Sequence, residues 1–142
     1  MAPILRRATV VAVAVLLAGA VGLASAATAH VKVSLKGSQE VPPVKTLARG
    51  YGVIEIAADG TVSGKIMTRG IKGTMAHIHQ AAAGKDGPPV IALVAGPHGT
   101  WVVPAGSKLS ADQYQAFQAG DLYINVHSKA HPGGEIRGQL KP

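Results

Sequence analysis

Cysteine is absent from this 142-residue chain, aromatic residues make up 4% of it, and no cationic run is longer than the Arg6-Arg7 pair. Without cysteine there can be no stapling disulfide, no thiolate metal site and no thiol catalysis, so metal ligands must be histidine, methionine, carboxylate or backbone. Scarce aromatics and singly scattered lysines and arginines leave neither a stacking platform nor a basic stripe, and a nucleic-acid partner is set aside. No G-x-S-x-G segment and no close carboxylate pair suggests hydrolysis. The residues favour a role other than catalysis.

What is present begins with a leader. Arg6 and Arg7 precede an apolar run from Ala8 to Ala24 and then small residues, the pattern of a secretory signal peptide over residues 1–29. Two A-x-A sites follow in tandem, so cleavage falls after Ala26 or after Ala29. The second cut would make His30 the first residue, with an α-amine and an imidazole that can chelate together. A periplasmic or secreted location follows, with retention of the apolar run as a membrane anchor as the alternative. Taking Arg6 and Arg7 from the 14 basic residues leaves 12 against 7 acidic ones, a net charge of +5. Residues 30–142 suit one domain with one modest core.

The domain reads as short strands. His30–Lys36 alternates with period two, and Gly37–Pro43 breaks it with two prolines. Gly50–Ala57 and Thr61–Thr68 flank the turn dipeptide Asp59-Gly60. Val90–Val94 is expected as a buried strand, and Gly96-Pro97-His98-Gly99 as a turn before Thr100–Val103. One helix is expected at 111–119, capped by Ser110 and Gln113 and closed by Gly120. The pattern predicts an all-β fold, an antiparallel, Greek-key-like β-sandwich or barrel of about eight short strands with one short helix.

Chemistry concentrates in two strand segments, Met75-Ala76-His77-Ile78-His79 and Tyr123-Ile124-Asn125-Val126-His127. Alternation puts His77 and His79 on one face with Met75, and Tyr123, Asn125 and His127 on one face of the other. If the strands are neighbours, three imidazoles converge. His77, His79 and His127 are therefore the candidate metal ligands, with His30, Met75 and His131 as possible additions. Imidazoles suit copper, zinc and nickel, and a thioether tilts a site toward Cu(I), so copper is the first expectation and zinc the second. Asn125 and Glu135 are candidates to support the site, Glu135 by orienting a metal-bound imidazole. Glu135 also shares a face with Arg137, which allows a salt bridge or a structural role for Arg137 in pinning the last strand.

Five segments in this order, Gly37–Val44, Ala76–His79, Ala83-Gly84 with Gly87–Val90, Gly120–His127 and Gly133–Gln139, resemble the CHRD (chordin-type) domain in its exported bacterial form. The resemblance implies a β-sandwich-like fold outside the cytoplasm over nearly all of residues 30–142, and no established activity. Metal handling is the leading functional expectation. A structural module of the cell envelope that binds another envelope protein is the alternative, and superoxide dismutase-like redox activity is a second one.

Overall fold

A computed structural model describes residues 27–142. The expected leader lies outside these residues except for its last three positions. Nine antiparallel strands form one sheet: β1 Thr28–Lys36, β2 Arg49–Ala57, β3 Val62–Arg69, β4 Gly73–Gln80, β5 Pro89–Ala92, β6 Val94–Ala95, β7 Thr100–Val102, β8 Leu122–Ser128 and β9 Ile136–Leu140. Their order is β5-β4-β8-β9-β1-β2-β3-β7-β6. The two ends of this order are consecutive in the chain. β5 pairs with β4 on one side, β6 pairs with β7 on the other, and between them Leu93 donates its N–H to the carbonyl of Ala76 at 2.9 Å. The sheet thus curls into a nearly closed barrel, which removes the open edges a flat sheet would expose.

β4, the β5–β6 segment and β7 follow one another across the sheet, and β3 lies beside β7, which is a Greek key. The stretch Val90–Val94 is not the single buried strand expected but is divided between β5 and β6 and buried on one face. Ile91 and Leu93 are buried, but Ala92 and Val94 face outward, because a segment in the wall of a barrel has one dry face rather than two.

The alternation of β1 is visible in its burial, with Val31, Val33 and Leu35 inside and Lys32, Ser34 and Lys36 outside. Ile54, Ile66, Ile78, Leu122, Ile124, Ile136 and Leu140 fill the interior at zero exposure. Each such side chain contributes about 1.5–3 kcal/mol relative to an exposed one. The helix, α1 Ala111–Gln118, carries the expected capping box, with the Ser110 hydroxyl accepting from the N–H of Gln113 and the Gln113 amide oxygen accepting from the N–H of Ser110. It contributes Phe117 to the core.

β8 departs from simple alternation, since all seven of its residues are buried. Leu122, Ile124 and Val126 lie in the core, and Tyr123, Asn125 and His127 face outward yet are covered. The cover consists of three loops: 37–46, 81–88 and 129–135.

Candidate functional site

The site begins with register. β4 and β8 pair so that His79 lies opposite Tyr123, His77 opposite Asn125 and Met75 opposite His127. Cross-strand neighbours on one face stand about 4.5–5.5 Å apart at Cβ. His77, His79 and His127 consequently meet under the loops, with one ring nitrogen from each within 4.8 Å of the others. The His77 and His79 rings meet edge-on with centroids 5.4 Å apart, and those of His77 and His127 at 5.1 Å.

Backbone carbonyls fix the tautomers. His79 Nδ1 lies 2.9 Å from the Gly87 carbonyl oxygen, and His127 Nδ1 lies 2.9 Å from that of Pro132. A carbonyl only accepts, so both Nδ1 atoms carry a proton, and in the neutral rings both Nε2 atoms present a lone pair. His127 Nε2 is 3.1 Å from His77 Nδ1, which must then donate to it. His79 Nε2 has no hydrogen-bond partner although it is buried. A buried ring nitrogen without a partner is costly, on the order of 1–3 kcal/mol, which a bound water or ion would offset.

Charge favours the same state. Burial holds His77 below the usual histidine range, and positive charge on His127 and His79 would lower it further. His79 is also lowered, first by burial and then by His127 and Arg137, against the opposing pull of the Gly87 carbonyl and Asn125. Neutral imidazoles are the form that binds metals.

The remaining expected residues separate. Met75 sits opposite His127 and is 49% exposed at the rim of the cluster. Asn125 is buried between His79 and Glu40, with its Oδ1 unpartnered. Glu135 does not orient an imidazole. Its carboxylate accepts from the hydroxyls of Thr46 at 2.7 Å and Ser128 at 2.5 Å, so it ties the 37–46 loop to the end of β8. Nor does it pair with Arg137. His131 keeps to the turn, bonding Ser128 through its backbone, and is not among the converging rings. His30 stands exposed on β1 and pairs with Glu55 on β2 at 3.2 Å.

Glu40 enters the site unexpectedly, and Tyr123, expected on the face of His127, takes a definite part in it. Glu40 is 4% exposed with Oε1 unpartnered, and burial pushes its carboxyl up to about 7 against the lowering effect of Arg137 and Asn125. Tyr123 stacks parallel on His79 at 4.8 Å, and the Arg137 guanidinium covers its ring at 3.4 Å from the centroid. Arg137, 1% exposed, donates to the carbonyls of Lys85 at 2.8 Å and Ala82 at 3.1 Å, so it fastens the 81–88 loop rather than pinning only its own strand. That loop in turn presents the Gly87 carbonyl to His79. The only earlier signal for Glu40 was its place in the Gln39-Glu40-Val41-Pro42-Pro43 segment.

An antiparallel barrel wall bearing a roofed imidazole triad is thus the class that fold and site define. The CHRD domain model matches residues 31–140, and the chain belongs to that family. Neither a curated protein nor a solved structure matched it.

Proposed function

We propose that this CHRD-domain protein binds one transition-metal ion, copper first and zinc second, through His77, His79 and His127, and serves in metal handling outside the cytoplasm. The observation that carries the reading is the convergence of one ring nitrogen from each of the three histidines within 4.8 Å, with the Nδ1 atoms of His79 and His127 tied to the Gly87 and Pro132 carbonyls. Metal-binding histidines commonly have the second ring nitrogen held in this way. Metal–nitrogen bonds of about 2 Å place tetrahedral donors about 3.4 Å apart, so ring tilts of roughly an ångström close the triad on an ion. The ion would replace the proton shared by His77 and His127. Met75, at the rim beside His127, offers a thioether that favours Cu(I).

Export rests on the signal-like leader. Cleavage after Ala26 fits the barrel better than cleavage after Ala29, because Thr28 and Ala29 pair with Ala57 and Ile56 in β1. His30 then stays inside a strand, without a free amine.

Titration of the protein begun at Ala27 with Cu(I), Cu(II) and Zn(II) tests the reading. One equivalent binds, Cu(I) most tightly, and the His77→Ala/His79→Ala/His127→Ala variant loses affinity by about 100-fold or more, on the scale of ligand and supporting-residue losses at metal sites. Equal affinity in the folded triple variant refutes it. Superoxide turnover by the copper-loaded protein, compared with free copper, distinguishes redox activity from carriage.

A further inference from the structure

The wall formed by β1, β2 and β3 has its own pattern. On the outer face of β1, β2 and β3, Lys36, Arg49 and Arg69 stand directly opposite one another on successive strands. The next rung holds Ser34, Tyr51, Met67 and Thr100, and the one after it Lys32, Val53, Lys65, Val102 and Val94. All five cations are exposed. Tyr51, Val53, Met67, Val94 and Val102 are exposed large apolar side chains. Tyr51, Val53 and Met67 line a hollow of about 590 Å³ together with Lys32 and Lys65. Of the seven acidic residues one, Glu55, lies on this face, already engaged by His30 at 3.2 Å and the Ser63 hydroxyl at 3.1 Å.

We infer that this wall docks on an anionic lipid bilayer. Like charges directly opposite one another destabilise a sheet. Among the described residues the ion pairs are His30–Glu55 and Arg137–Asp86, so no carboxylate of the barrel neutralises the Lys36–Arg49–Arg69 rung. Arg49 donates to the carbonyls of Thr46 at 3.2 Å and Ala48 at 2.7 Å, and the rung as a whole is left open to anions from outside the barrel. An apolar centre edged by lysine and arginine suits a lipid interface: the side-chain stems lie along apolar surface while the charged heads reach headgroup phosphates, and a tyrosine ring sits between the two media. Apolar contact and a basic patch together supply the two signals that stable surface binding requires. A second copy of the chain would set these cations against their own kind.

Cosedimentation with vesicles tests the assignment, using protein begun at Ala27, which contains the whole barrel and its core and omits the apolar leader. The protein binds vesicles of mixed phosphatidylglycerol and phosphatidylcholine, leaves pure phosphatidylcholine, and is released by salt. Each cation near an anionic surface contributes about a fivefold factor in partition, so Lys36→Glu/Arg69→Glu lowers it about 25-fold or more. Tyr51→Ser/Val53→Ser/Met67→Ser weakens it as well, with circular dichroism reporting that each variant is folded. The His77→Ala/His79→Ala/His127→Ala protein binds vesicles as the unmodified one does, so this inference and the metal reading fail separately. The salt titration of unmodified protein needs no variant. Absence of binding to anionic vesicles at low salt overturns the inference. So does loss of binding in the histidine variant. Equally tight binding to soluble polyglutamate, unaffected by the apolar substitutions, also overturns it and assigns the face to an acidic protein.

Discussion

Two walls of one barrel share the same alternation and meet opposite fates. On β4, β8 and β9 the outward side chains His79, Asn125, His127 and Arg137 are buried under three loops. On β1, β2 and β3 the outward Lys32, Tyr51, Lys65 and Met67 are bare. Period two tells only that a side chain leaves the core. Whether it then meets water or a polar interior depends on loops that come from distant parts of the chain. The covered wall favours neutral rings at His77 and His79 and lets Glu40 keep part of its proton at neutral pH, conditions that the bare wall, open to solvent, does not provide.

Arg137 holds the covered wall together more than any other single residue on it. Arg137→Met removes bonds to the Lys85 and Ala82 carbonyls and the guanidinium over Tyr123, and it frees the loop that holds His79. A stability loss of about 3 kcal/mol in urea unfolding is expected, on the scale of breaking a buried charged network. Lys65→Met on the bare wall changes stability by less than about 0.5 kcal/mol. Equal effects would mean that the loops do not depend on Arg137.

The bare wall was nearly readable in the sequence, and the covered one only half so. Period-two alternation marked Lys32, Ser34 and Lys36 as outward, and Asp59-Gly60 marked the hairpin between β2 and β3. The convergence of His77, His79 and His127 was legible as a condition, because parity put them on matching faces while adjacency of β4 and β8 remained to be settled. Adjacency is a long-range fact: Gln80 and Leu122 lie 42 positions apart, and they pair in register. The partners of Glu135 and Arg137 were not legible for the same reason. Thr46 lies 89 positions from Glu135 and Lys85 lies 52 from Arg137, and Glu135 precedes β9, which begins at Ile136, so strand parity could not give the partners of either residue.

Glu40 gives the covered wall a pH dependence that the bare wall lacks a buried group to produce. Its carboxyl is raised from 4.5 to about 7 by burial, so the folded protein binds a proton that the unfolded chain has released. Stability therefore falls as pH rises from about 4.5 to about 7 and levels off above. Glu40→Gln, which carries no charge, flattens that slope and is the more stable protein at pH 8 by on the order of 1–3 kcal/mol. Thermal midpoints across the range give the answer, and an unchanged slope would remove Glu40 from the dry interior. Asp59, on an exposed turn, shows the opposite direction, lowered by hydrogen bonds from Thr61.

The smallest effect belongs to the bare wall. Arg69 faces Arg49 across β2 and β3, and Arg49 faces Lys36 across β1 and β2, so Arg69→Glu exchanges a repulsive pair for an attractive one. Cross-strand charge pairs are worth roughly 0.2–1 kcal/mol, which sets the expected gain in stability at low salt. Exposed charges are screened at high ionic strength, where the gain shrinks toward zero. Gain in stability combined with loss of vesicle binding in the same variant would identify the cationic rung as a feature held for an external anion at the expense of the fold. A rung that served only the fold would instead lose stability when its charge is reversed.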